Sequence, residues 1–115
     1  MNHVVLSNEA DFLLCILYRE FLEQRKNGAS RDDAATFGSC EAIQSKILPE
    51  WPTHDIDAAL WELHRKGLVE AYPGNNMAMA AVLQPDGIVY MENRFKNKLQ
   101  DLIQMATAGK GLFSR

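Results

Sequence analysis

One stretch constrains the fold of this chain more than any other: residues 55–69, DIDAALWELHRKGLV. Its apolar residues recur at the i, i+4, i+7 spacing of a helix with one core-facing side: Ile56, Leu60 and Leu63. Gly67 predicts the end of this helix, because glycine adopts the left-handed conformation of a C-terminal cap at no steric cost. Leu68 and Val69 then begin an extended run. The stretch therefore predicts a core helix that turns directly into a strand.

Length and composition indicate one ordinary globular domain. The chain has 115 residues, of which 47% are apolar and 23% charged, enough for one core and too few for two. The cysteines, Cys15 and Cys40, have no metal-binding or redox spacing, and Cys15 lies in an apolar run that predicts a buried thiol. The longest apolar stretch, 12–18, is far short of the ~20 residues of a membrane span, and the N-terminus lacks the basic start of a signal peptide. These features predict a reducing, cytoplasmic location.

The charge is unevenly distributed along the chain. The formal net charge is −3, which disfavours strong nucleic-acid binding, because that affinity comes largely from basic residues on phosphates. Residues 1–49 carry five basic and seven acidic groups, and residues 50–91 carry two basic and six acidic groups. Residues 92–115 carry five basic and two acidic groups. The positive charge is therefore concentrated at the C-terminal end.

The N-terminal part predicts a long helix from about residue 8 to 27. Ser7 and Asn8 are both suitable N-caps, and Gly28 marks the end. The first half is apolar on nearly every side: Phe12, Leu13, Leu14, Ile16, Leu17, Tyr18, Phe21 and Leu22. Such a helix is either the centre of the core or shares one side with a second chain. Both interpretations are open from the sequence.

The cap and turn residues predict the order of the other elements. Ser30 starts a short helical turn that ends at Gly38, and Ser39 caps a helix from Cys40 to about Leu48. Two prolines force an extended connection on the chain, and Trp51 within it is predicted to pack into the core. Thr53 is predicted to cap the central helix. The remaining elements are a strand over 68–72, a turn over 73–76, a return strand over 77–83, a helix from about 86 to 108 and a frayed tail over 109–115.

The sequence contains no catalytic or metal-binding constellation. His54 and His64 stand ten residues apart on one helix, roughly 15 Å along its axis, so they cannot share a metal by themselves. Two carboxylate pairs, Asp32–Asp33 and Asp55–x–Asp57, lie at predicted helix starts, where capping and the helix dipole account for them. No glycine-rich phosphate loop, Cys-x-x-Cys pair or nucleophile elbow is present. We therefore expect no enzyme activity, no cofactor and no metal.

With these elements placed, the chain resembles the winged-helix superfamily. It looks closest to small bacterial proteins with patterns at 25–28 (RKNG), 37–39 (FGS), 49–51 (PEW), 62–67 (ELHRKG) and 90–96 (YMENRFK). The YjcQ-like winged-helix family is a more distant resemblance, covering the helix-turn-helix, the wing and the following helix. The resemblance implies a single mostly helical α+β domain over 1–115, with its core in 8–84. Its order would be three helices, a two-stranded wing and a long C-terminal helix.

The resemblance also implies DNA binding by analogy, as a transcriptional regulator that forms a homodimer through helix 1 and the C-terminal helix. Candidate contacts to duplex DNA are His54, Ala58, Arg65, Lys66, Asn75, Asn76, Arg94, Lys96 and Lys98. If Leu60 faces the core, helical geometry also turns Asp55 and Glu62 outward, and two acids suit a phosphate-lined groove poorly. The alternative is a winged-helix protein-interaction module without DNA binding, which would hold a partner chain through Trp61, Glu62 and Arg65 or through helix 1.

Overall fold

A computed structural model describes residues 4–94 as a mostly helical α+β fold with five helices and one antiparallel sheet. The predicted fold class is confirmed at this level. The elements follow in the order α1 Asn8–Lys26, α2 Arg31–Ala35, β1 Thr36–Phe37, α3 Cys40–Lys46, α4 Thr53–Arg65, β2 Val69–Pro73, β3 Ala78–Leu83 and α5 Pro85–Arg94.

Three of the helices begin as their cap residues predict. The hydroxyls of Ser7, Ser30 and Ser39 accept backbone N–H groups at 3.1, 3.1 and 3.2 Å, satisfying donors that a first helical turn leaves unpaired. The central helix α4 begins differently, and the prediction that Thr53 caps it is wrong. Pro52 is the capping residue and Thr53 is already helical. The Pro52 carbonyl accepts the Asp55 and Ile56 N–H groups and proline has the extended conformation of a capping residue, but no side chain caps the first turn.

The end of α4 is a Schellman cap built on Gly67. This residue has φ of +76°, its N–H donates to the His64 carbonyl at 3.0 Å, and the Leu68 N–H donates to the Leu63 carbonyl at 3.0 Å. Val69 follows at once as the first residue of β2. The predicted passage from helix to strand is therefore confirmed, and it fixes the direction in which the hairpin leaves α4.

The sheet contains one strand that the sequence did not predict. Residues 30–38 were predicted to be a helical turn ended by Gly38, but α2 stops at Ala35 and the next two residues form β1. In the sheet order β1-β3-β2, Thr36 pairs with Val82 and Phe37 with Ala81. A two-residue strand has no local periodicity, and its hydrogen bonds exist only once the distant β3 is in place.

The hairpin strands β2 and β3 pair from Val69 opposite Leu83 to Pro73 opposite Ala78, with a bulge near the turn. The alanine-rich β3 is the middle strand despite its low β-propensity. Ala78 and Ala81 are buried, so small side chains let the helices lie close to the sheet. Pairing on both edges and burial on one face together outweigh the weak intrinsic preference of this strand.

Helix α1 lies at the centre of the core. Leu13, Leu14 and Leu17 are fully buried within a single chain, which supports the interpretation of α1 as a core helix. The half-buried Trp51 stacks on Phe12 with ring centroids 5.5 Å apart, so it packs against the core from the α3–α4 connection as predicted.

The last helix begins at Pro85, one residue before the predicted start, and is described as far as Arg94. The remainder of the predicted helix 86–108, with Lys96 and Lys98, and the tail 109–115 lie outside the described residues. Within 4–94, no helix has both the length and the apolar character that crossing a membrane requires.

Candidate functional site at helix α4 and the hairpin

Helix α4 presents a polar side that is separate from its core side. Its buried residues are Ile56, Ala59, Leu60 and Leu63. On the opposite side the structure exposes His54, Asp55, Ala58, Arg65 and the adjoining Lys66. Four of these, His54, Ala58, Arg65 and Lys66, are the positions at which DNA contacts were predicted on this helix. Trp61 and Glu62, the other two outward candidates, are only half-exposed.

Glu62 is held by the start of α1. Its carboxylate accepts from the Ser7 backbone N–H and from the Ser7 hydroxyl, both at 2.7 Å. These two hydrogen bonds hold the pKa of Glu62 below its usual range, because they favour the charged carboxylate. Glu62 therefore joins α4 to α1 and is not an unengaged acid on the outer surface.

We expect Glu62→Gln to destabilise the protein at neutral pH and to have little effect in acid. Because the folded-state pKa of Glu62 is lowered, its contribution is present above the unfolded-state value near 4.5 and is lost as the pH falls through the folded value. The site is close to solvent, so the effect stays under about 1 kcal/mol. Urea unfolding of both proteins at pH 7 and below pH 4 measures the difference. A gap between the proteins that widens in acid would contradict this assignment.

Asp57 connects three elements through one carboxylate oxygen. Its Oδ1 accepts from the Ala78 backbone N–H of β3 at 2.8 Å, from Trp61 Nε1 at 3.0 Å and from the Cys40 thiol of α3 at 3.6 Å. Of the acids in α4, only Asp55 lies in the first turn. The interpretation of Asp57 as a helix-start acid is therefore wrong: it fixes the hairpin and α3 against α4.

Both cysteines are buried and free. Burial and the neighbouring Asp57 carboxylate raise the pKa of Cys40 to about 12, and burial raises that of Cys15 to about 11. Both thiols are consequently protonated at neutral pH and poor nucleophiles. This agrees with the prediction that Cys15 acts as a small apolar side chain.

His64 joins the end of α4 to the hairpin. Its Nδ1 accepts the backbone N–H of Ala71 in β2 at 3.1 Å, and its ring meets Trp61 edge-on with centroids 5.1 Å apart. His54, in contrast, is exposed at the other end of the helix. Among residues 4–94 no group of three or more His, Cys, Asp or Glu side chains could hold a metal ion.

The hairpin turn is polar but uncharged. Asn75 and Asn76 are exposed, and Asn76 has φ of +68°, a left-handed conformation that asparagine tolerates better than most residues. Beside the turn, Tyr72 and Met79 are about half-exposed, at 48% and 49%. The two amide side chains of the turn thus lie beside two large apolar side chains of the adjoining strands.

Arg94 was predicted to contact DNA, and the structure places it against Asp11 of α1. The guanidinium makes a bidentate ion pair with this carboxylate, the Nη2–Oδ2 distance being 3.1 Å. The Asp11 hydrogen bond is the main reason that the pKa of Arg94 is raised. The pair joins α5 to α1, so this charge is already engaged within the fold.

The comparisons with known proteins identify no relative. No protein-family model matches the chain, and neither the curated proteins nor the solved structures contain a significant match. The class that the structure itself defines is a small, mostly helical α+β protein with a three-stranded antiparallel sheet.

The structure brings the C-terminal end of α4 next to the hairpin. The sequence correctly separated the inner and outer sides of α4, because helical periodicity determines them. It did not predict the engagement of Glu62 by Ser7, 55 positions away, or of Asp57 by Ala78, 21 positions away. Polar side chains carry no periodic signal for such contacts.

Proposed function

We propose that this chain is a winged-helix protein that binds duplex DNA as a regulator. In this proposal α3 and α4 are the helix-turn-helix pair and the β2–β3 hairpin is the wing. The order of the elements supports it, because the two short helices are followed directly by the hairpin. Strand β1 supports it further by attaching the hairpin to the helical part through β3.

The observation that carries the proposal is the exposed side of α4. A recognition helix needs one side buried in the core and the other free to enter the major groove, and α4 has both. Among residues 4–94, the fixed charges on this side and its end that make no hydrogen bond or ion pair are Asp55, Arg65 and Lys66. The Glu62 carboxylate is held by Ser7 and acts on Arg65 and Lys66 only through their charges. Arg65 and Lys66 are the cations best placed to contact phosphates.

The charge balance limits the affinity that we expect. Residues 4–94 contain eight basic and fourteen acidic groups, a formal charge of −6, whereas residues 95–115 contain four basic groups and one acidic group. Lys96 and Lys98, the other predicted contacts, belong to this second part. Binding should therefore involve few phosphates. The slope of log K against log salt would be about −2 if only Arg65 and Lys66 contribute, and about −4 if both lysines join them.

The test is fluorescence anisotropy with a labelled duplex of mixed sequence, titrated at several salt concentrations. We expect binding at ~50 mM salt that weakens as salt rises. Arg65→Glu should weaken it at least tenfold, because it replaces a phosphate contact by a repulsive charge. Lys26→Glu makes the same change of charge on an exposed residue of α1 and should have little effect. Absence of binding at ~50 mM salt would rule the proposal out, and equal losses in both variants would rule out α4 as the contact surface.

A second candidate is a winged-helix protein-interaction module, favoured by the exposed pair Tyr72 and Met79. Aromatic residues and methionine are enriched in protein interfaces. The surface of Trp61, Glu62 and Arg65 that was first predicted for this role is less suited to it. Trp61 Nε1 donates a hydrogen bond to Asp57, and the Glu62 carboxylate accepts hydrogen bonds from Ser7. The DNA titration distinguishes the two candidates, since an interaction module shows no salt-dependent binding to duplex DNA. A homodimer and a cytoplasmic location stay predictions.

A further inference from the structure

The edge of the sheet at β2 is protected by a histidine. Strand β2 is at one edge because the sheet order is β1-β3-β2. Alternate residues of an edge strand point their N–H groups away from the sheet, and such unpaired groups invite another chain to add a strand. Ala71 occupies a position of this kind, and Pro73 ends the strand after the irregularity that follows Tyr72. Pro73 has no N–H to offer, and the Ala71 N–H is taken by His64 Nδ1 at 3.1 Å.

This hydrogen bond requires the neutral form of His64. An imidazole nitrogen accepts a hydrogen bond only through its free lone pair, so Nδ1 is unprotonated and the ring proton is on Nε2. In the protonated ring both nitrogens are donors, and Nδ1–H would face the Ala71 N–H. The contact between the end of α4 and the hairpin is therefore sensitive to a single proton.

We propose that His64 is a proton-sensitive latch, which joins α4 to the edge strand β2 when neutral and releases it when protonated. Protonation occupies the lone pair through which Nδ1 accepts the Ala71 N–H, so a proton on this nitrogen breaks the contact. Release would free the Ala71 N–H at the sheet edge. It would also loosen the hairpin from α4, while Asp57 continues to hold the other strand, β3, at Ala78. The inference does not depend on DNA binding.

The surroundings of His64 support a latch controlled by this one ring. The charged groups nearest in sequence on the two joined elements are Glu62, Arg65 and Lys66 on the α4 side and Glu70 on β2. None of them makes a hydrogen bond or ion pair with His64 among the residues that the structure describes. The other contact of the ring is the uncharged edge of Trp61.

The test is amide hydrogen exchange followed by NMR on the ¹⁵N-labelled full chain, at about pH 8 and about pH 5, with correction for the intrinsic exchange rate. The protection factor of Ala71 should fall about tenfold at the lower pH, the effect of losing one hydrogen bond. The Leu68 amide is the internal control. It donates to the Leu63 carbonyl in the adjoining helix cap, and its protection should not change. The ¹⁵N shifts of the His64 ring at about pH 8 should show the proton on Nε2.

His64→Gln is the matched variant, because glutamine offers an amide oxygen that does not titrate in this range. The pH dependence of Ala71 protection should disappear in this protein. Three outcomes would overturn the latch: a proton on Nδ1 at about pH 8, an Ala71 protection factor that does not change with pH, or an unchanged pH dependence in His64→Gln.

Discussion

Replacing Asp57 by alanine is expected to lower the free energy of unfolding by about 2–4 kcal/mol. The substitution removes the oxygen that accepts from the Ala78 N–H, from Trp61 Nε1 and from the Cys40 thiol. Leaving a partly buried donor without a partner costs about 1–3 kcal/mol each, and two of these three donors are strong. Denaturant unfolding monitored by circular dichroism measures the loss.

Two variants show whether this loss comes from the shared carboxylate oxygen. Asp57→Asn keeps an oxygen that can accept from Trp61 and Ala78. Because hydrogen bonds to a charged group are about twice as strong as neutral ones, this variant should lose about half as much free energy of unfolding as Asp57→Ala. Asp55→Ala removes an exposed acid from the first turn of the same helix and should cost no more than ~1 kcal/mol. If Asp55→Ala and Asp57→Ala were equally destabilised, the role assigned to Asp57 would be wrong.

Gly87→Ala is expected to destabilise the protein by about 1–3 kcal/mol, although this change ordinarily stabilises a helix. Gly87 is buried in α5, and a Cβ added there would overlap the Leu68 carbonyl oxygen and lie 3.1 Å from Leu83 Cδ1. The Leu68 carbonyl is held by the Gln84 N–H at 3.0 Å, so it cannot move away without breaking that bond. Alanine is favoured over glycine by roughly 1 kcal/mol of helix propensity. Overpacking against a fixed backbone group costs more than this gain.

The sign of the change in melting temperature is the informative result for Gly87→Ala. Val89→Ala is the control, because Val89 is 49% exposed on the same helix and alanine has the higher helix propensity. We expect Val89→Ala to be neutral or slightly stabilising. A higher melting temperature for Gly87→Ala would mean that α5 does not pack as closely on the start of β2 as the structure shows.

The close approach at Gly87 illustrates what local sequence patterns leave open. The sequence QPDG at 84–87 predicts the end of a strand and the start of a helix, and both occur there. Glycine is needed at this position for a different reason, the Leu68 carbonyl that lies against it. That neighbour is distant in the chain, so it becomes known only when the packing is known.

The predictions that held rest on interactions within about one helical turn. The serine caps, the Gly67 cap and the inner side of α4 all follow from backbone hydrogen bonds and a period of 3.6 residues. The element that was missed, β1, depends on pairing with a strand far along the chain. The prediction of Thr53 as a cap failed because α4 begins one residue earlier than expected, with Pro52 in the capping position and Thr53 already helical.

For the candidate site, the sequence by itself determined which residues of α4 face outward and that Arg65 and Lys66 lie at its end. Tertiary structure alone decided which polar groups are already engaged: Glu62 by Ser7, Asp57 by Ala78, His64 by Ala71 and Arg94 by Asp11. The physical reason is that periodicity sets the direction of a side chain. The partner of that side chain is a backbone or side-chain group distant in sequence. Packing of the core decides which such group comes within hydrogen-bond reach.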